Sequence, residues 1–170
     1  MKEIVIISDL WGRRRSQWVN NFRELLPGSS EIQFYDACEL GLIDLSEYSE
    51  DAIHSQFVDG GIDRAVEELI QRESVPKVYI GCSVGGAIAW KAALRGLKVE
   101  RLVTVSSTRL RYETEKPNCP IDAFFGEFDT HKPGPEWFDR IALEQQTIPR
   151  GHHQIYKDRS LIRRFVGNLE

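Results

Sequence analysis

Short, uninterrupted apolar runs alternate along this chain with longer stretches of helical periodicity. Four runs stand out: Ile4-Val5-Ile6-Ile7, Val78-Tyr79-Ile80, Leu102-Val103-Thr104-Val105 and Ile121-Asp122-Ala123-Phe124-Phe125. Ile32-Gln33-Phe34-Tyr35 and Gln145-Gln146-Thr147-Ile148 are weaker. Near-continuous runs of this kind, as opposed to strict alternation, predict parallel strands covered on both faces. Between them lie helical stripes. Trp18, Phe22, Leu25 and Leu26 make one that stops at Pro27-Gly28, and Ile62, Ala65, Val66, Leu69 and Ile70 make another after the Gly60-Gly61 break. Ala87 to Leu94 is rich in helix formers and stops near Gly96, and Leu161, Ile162, Phe165, Val166 and Leu169 close the chain. Strands alternating with helices predict an α/β fold, a doubly wound and mostly parallel sheet with helices on both faces.

Two stretches carry weak patterns. Residues 37–58 mix acids and apolar residues, which fits an irregular connection or a small covering helix. Residues 107–119 are polar and follow a strand, so they read as a loop with room to line a site. Ligands of open α/β sheets bind at the carboxyl ends of the strands, where such loops lie.

The 170 residues predict one domain, 1–170, long enough to bury a core without disulfides or metals. A net charge of −4 predicts no basic face and argues against a nucleic-acid partner. Met1-Lys2-Glu3 leads straight into an apolar run too short for an export signal or a membrane span. Cys38, Cys82 and Cys119 are widely spaced and odd in number, suggesting neither a disulfide framework nor a zinc site. The expectation is a reduced, cytoplasmic protein with no membrane partner, its oligomeric state unread.

The chemistry begins at Gly81-Cys82-Ser83-Val84-Gly85, which fits G-x-S-x-G between an expected strand and an expected helix. A reversal from strand to helix within a few residues forces its central residue into a strained conformation, and flanking glycines remove the Cβ atoms that would collide. Ser83 then projects at the positive end of a helix, with the Val84 N–H as one donor to a developing oxyanion. The same five residues also fit a purely structural turn. A phosphate-binding glycine loop fits less well, because neither G-x-G-x-x-G nor a terminal Gly-Lys-Ser/Thr is present. Cys82 precedes the apex and reads as a small packing residue.

A serine nucleophile needs an imidazole to take its proton and a carboxylate to orient that imidazole. Both follow in chain order. Asp129, in the loop Gly126-Glu127-Phe128-Asp129 before Pro133, is the acid of choice over Glu127, Asp122 and Asp139; it also fits a turn-stabilising role. The base lies in Ile148-Pro149-Arg150-Gly151-His152-His153, with His153 favoured and His152 the alternate. His54 and His131 read as surface residues, with His131 beside Asp129 a candidate for the mouth of the site. Arg13-Arg14-Arg15 reads as the solvated start of a helix, with attraction of an acidic group as the second possibility. Trp11 and Trp18 read as packing residues.

These three motifs, in this order and at strand ends, resemble the α/β-hydrolase superfamily in a compact form without the usual large cap. The resemblance spans nearly the whole chain and implies a six-stranded sheet of order 2-1-3-4-5-6. It also implies a second oxyanion donor after the first strand, by position the N–H of Leu10 in Ser8-Asp9-Leu10-Trp11-Gly12. The family's usual His and first Gly are replaced there by Ser8 and Asp9, and an Asp9 close to the site would repel anionic substrates. The function implied is hydrolysis of a small ester or thioester by Ser83, His153 and Asp129 through an acyl-enzyme, with no metal or organic cofactor. Acyl transfer and amide cleavage use the same three groups. The rival from another class is a catalytically silent binding or interaction protein that keeps the fold.

Overall fold

A computed structural model of the chain describes residues 2–169. Its strands are β1 (Glu3–Ile7), β2 (Glu31–Tyr35), β3 (Lys77–Cys82), β4 (Val99–Val105), β5 (Ile121–Gly126) and β6 (Gln146–Ile148). They form a sheet of order β2-β1-β3-β4-β5-β6 in which every pairing is parallel. Each apolar run of the sequence is a strand. The helices are α1 (Val19–Leu25), α2 (Ala37–Leu40), α3 (Glu50–Gln56), α4 (Ile62–Arg72), α5 (Val84–Leu94), α6 (Pro135–Ile141) and α7 (Ile162–Val166).

The strands are apolar throughout because both faces of the sheet are covered, and alternate residues feed two cores. Val5, Ile7, Tyr79 and Leu102 point to one side, against α4, α5 and α6. Ile4, Ile6, Val78, Ile80 and Val103 point to the other, against Phe22 of α1 and Phe165 of α7. Helix α4 turns one stripe, Ile62, Ala65, Val66 and Leu69, to the sheet. Helix α5 is apolar apart from Lys91, which pairs with Glu113 at 2.7 Å, and is buried along most of its length, because it crosses the middle of the sheet behind β3.

Several boundaries differ from those expected, each for a local reason. Helix α5 begins at Val84, three residues before its run of helix formers, because it starts directly from the turn that holds Ser83. The weakly patterned 37–58 stretch holds two short helices, α2 capped by the Asp36 side chain and α3 capped by the Ser49 side chain. The Gly60-Gly61 break is a kink between α3 and α4, with Gly60 at φ 92°. Polar residues 107–119 are not all loop: Thr108–Tyr112 wind into a short 3-10 turn around buried Leu110.

Candidate active site

The site is built on the turn between β3 and α5. Ser83 has φ 53° and ψ −121°, a conformation that L-residues rarely adopt, and its N–H is tied to the Val105 carbonyl at 2.8 Å. The flanking glycines are required by contact. A Cβ on Gly81 would lie 2.4 Å from the Gly86 backbone, and one on Gly85 would lie 2.4 Å from the Ser8 carbonyl oxygen. Strand, turn and helix are therefore packed backbone against backbone, and β1 closes on them from the side. Cys82 lies beneath, fully buried, and desolvation raises its thiol pKa well above the ordinary value, which keeps it protonated.

Ser83 Oγ lies 3.1 Å from His153 Nε2, and His153 Nδ1 lies 2.7 Å from Asp129 Oδ2. Residues 70 and 24 positions apart thus meet in one hydrogen-bonded line. With Nδ1 facing a carboxylate, the imidazole proton belongs on Nδ1, and Nε2 is left to accept the serine hydroxyl. Asp129 is buried, and its Oδ1 also accepts the His131 N–H at 3.2 Å. Burial pushes its carboxyl pKa up, but the hydrogen bond and charge of His153, with the His131 N–H, outweigh that and hold it below the usual value.

The loops that carry Asp129 and His153 are tied together. Glu127 N–H donates to the Ile148 carbonyl at 3.0 Å, Phe128 N–H to the Gly151 carbonyl at 2.8 Å, and Arg150 N–H to the Glu127 carboxylate at 2.6 Å. A Cβ on Gly126 would sit 2.4 Å from the His152 carbonyl, so glycine there lets the loops pass. That pairing explains the choice between neighbours. Glu127 is spent on the Arg150 N–H, and His152 is exposed, its ring tilted against that of Phe128 with centres 5.5 Å apart. Asp122 is held by Arg101 at 2.6 Å, and Asp139 is exposed on α6.

Val84 and Leu10 both line the cleft beside Ser83, and no acceptor among the described residues takes either backbone N–H. The loop that carries Leu10 is held from behind. Ser8 Oγ accepts the Ala37 N–H at 2.8 Å, while Asp9 accepts the Trp11 N–H at 3.1 Å and the Tyr156 hydroxyl at 2.8 Å. Asp9 is therefore not the exposed repulsive charge expected of it. It is wholly buried and turned into the protein, and desolvation raises its pKa despite the lowering by the Tyr156 hydrogen bond. Nothing in the local sequence signals Tyr156 as its partner, 147 positions away.

The cleft encloses about 660 Å³. Leu10, Phe57 and Val84 supply apolar walls, Phe128 and the exposed His54 and His131 its other sides, and Arg109 and Arg111 a basic edge. Arg13, Arg14 and Arg15 lie outside it, in an exposed 3-10 turn stacked on Phe34, Tyr48 and Trp11. Trp18 is buried against Phe22 and Tyr156. Among the described residues, no group of three or more His, Cys, Asp or Glu is placed to hold a metal ion, and no helix is long and apolar enough to cross a membrane.

No family model matches the sequence, and no curated protein matches it. Solved structures do match in three dimensions. Est1E from Butyrivibrio proteoclasticus, with ferulic acid bound, superposes with a TM-score of 0.67 at 13% identity, over 99% of this chain and 88% of that one. Mouse α/β hydrolase domain-containing protein 10 gives 0.64 at 16%, over 98% and 87%. MGS-MChE2, an α/β hydrolase enzyme from a lagoon-sediment metagenome of Mar Chica, Morocco, gives 0.58 at 16%, over 99% and 90%. At these identities the likeness is one of fold.

Proposed function

We propose that this chain, which has the α/β-hydrolase fold, is a serine hydrolase of small esters or thioesters. The observation that carries the reading is the line from Ser83 Oγ through His153 to the buried Asp129 carboxylate, at 3.1 and 2.7 Å. Est1E, which shares the fold, holds ferulic acid, a carboxylic acid of the kind that ester hydrolysis releases.

In the proposed reaction Ser83 Oγ attacks the carbonyl carbon while His153 Nε2 takes its proton. The oxyanion forms between the N–H groups of Val84 and Leu10, neither of which has to leave another acceptor. The imidazolium, steadied by Asp129, returns the proton to the departing alcohol or thiol. Water then attacks the acyl-enzyme with His153 again as base, releasing the acid and restoring Ser83. Asp9, buried and turned away from Ser83 toward the Tyr156 hydroxyl, takes no proton in this cycle; through the Trp11 N–H it braces the loop that carries Leu10.

A fluorophosphonate probe tests the reading directly. Wild type should be labelled and should cleave short acyl esters, and Ser83→Ala should lose both, with a fall in kcat of about 10⁴-fold or more. His153→Ala should fall comparably, whereas His152→Ala should keep most of the wild-type activity, since its exposed ring lines the cleft and packs on Phe128 but hydrogen-bonds to neither Ser83 nor Asp129. Unlabelled wild type beside a labelled control hydrolase would favour the silent binding protein.

A further inference from the structure

The cleft beside Ser83 holds two guanidinium groups that no carboxylate among the described residues pairs with, and we propose that they bind a carboxylate on the substrate. The inference rests on the hydrolase reading and narrows it to esters or thioesters whose acyl chain ends in a negative charge.

Strand β4 delivers the two arginines. After Val105 the chain turns through Ser106, at φ 56°, and the Ser106 N–H is fastened to the Phe124 carbonyl at 2.9 Å. Ser107 follows so close to the first turn of α5 that a Cβ on Gly86 would lie 1.8 Å from its Oγ. The Thr108–Tyr112 turn therefore starts directly beside the nucleophile turn, and Arg109 and Arg111 line the same cleft as Ser83 and His153.

Their partners are neutral. Arg111 donates to the Thr108 carbonyl at 2.9 Å, the His131 carbonyl at 3.4 Å and the Tyr112 hydroxyl at 2.9 Å. Arg109 makes no hydrogen bond or ion pair among the described residues. Its guanidinium carbon sits 5.1 Å from the centre of the Tyr112 ring, and that of Arg111 sits 4.3 Å from the same ring. Two cations gathered on one aromatic ring repel each other, and both are only half exposed. A bound anion relieves that repulsion and offers acceptors to the N–H groups of Arg109 that are left unused.

A second element sets the direction. Glu50 and Asp51, exposed in the first turn of α3, line the same cleft and have no ion-pair partner among the described residues. An anionic chain end is repelled there and attracted at the β4 turn. The bound acyl chain thus runs from Ser83 toward Arg109, leaving the alcohol or thiol on the other side.

The test compares the 4-nitrophenyl monoester of adipic acid with its methyl-capped neutral counterpart, using Ser83→Ala as the blank. Wild type should prefer the anionic ester by about tenfold or more in kcat/KM, the factor supplied by one charge-assisted hydrogen bond. Added salt should shrink that ratio, and Arg109→Gln, which breaks no internal bond, should bring it close to one. Turnover of both esters with no preference for the charged one would overturn the proposal. A titration keeps it testable apart from catalysis: monomethyl adipate should bind Ser83→Ala more tightly than dimethyl adipate, and Arg109→Gln should remove the difference. If neither ester is cleaved yet the anion binds, the hydrolase reading fails and the anion site stands. Equal binding of the two, or tighter binding of inorganic phosphate than of the monoanion, overturns the carboxylate assignment.

Discussion

Asp9 shows how a single residue can be read correctly in sequence and wrongly in space. Its position after β1, where the related fold places an oxyanion loop, suggested a charge beside the substrate. Instead its carboxylate is buried against the Tyr156 hydroxyl and the Trp11 N–H, and acts as a brace for the loop. Burial raises its pKa above the ordinary 3.8. Above that pH the native protein keeps a proton on Asp9 that the unfolded chain has released, so stability falls as pH rises through the raised value. Urea unfolding at a series of pH values should therefore show wild type losing stability relative to Asp9→Asn from about pH 4 upward. The change with pH is the quantity to read, because the amide also alters the Tyr156 hydrogen bond by a constant amount. Asp129 has the opposite sign: its lowered pKa contributes stability above the ordinary carboxylate range and loses it on acidification. Ser83, Asp129 and His153 were legible because their surroundings are local: glycines at a turn, a strand end before a loop. The choice of His153 over His152 had weaker support in the sequence, and it is the crossing of two loops at Gly126 that turns one ring inward and the other out.

At the scale of elements, the strand–turn–helix unit of β3 and α5 is held to close tolerances. Gly81 and Gly85 touch backbone atoms that cannot move aside, those of Gly86 and of Ile7 and Ser8. Gly85→Ala should therefore destabilise the protein by at least about 3 kcal/mol, the upper end of ordinary overpacking, measured by chemical denaturation. A purely local turn would tolerate the same methyl group at far lower cost. The G-x-S-x-G pattern was plain in sequence, but its contact with β1 was not, since nothing in residues 81–86 names Ser8. The stretch 37–58 was hard to read for a related reason. Helices α2 and α3 are four and seven residues long, too short for a periodic signal, and rely on side-chain caps and packing against neighbours.

For the molecule as a whole, the doubly covered sheet sets stability and the loops at its carboxyl edge set chemistry. Trp90 lies at the centre of the first core, fully buried on α5, its ring 6.0 Å from Trp137 and its Nε1 donating to the Glu115 carbonyl. Trp90→Ala should cost about 3–5 kcal/mol, seen as a shifted denaturation midpoint. By itself the sequence determined the class of fold and the order of its elements, because apolar runs and helical stripes report burial that each segment carries locally. It also determined which residue types could supply a nucleophile, a base and an acid, because turn chemistry is written within a few positions. The tertiary structure alone decided that Asp9 faces inward, that His153 and not His152 reaches Ser83, and that Arg109 and Arg111 share the cleft with it. Those outcomes depend on distances between segments tens of residues apart, set by the packing of strands and loops against one another.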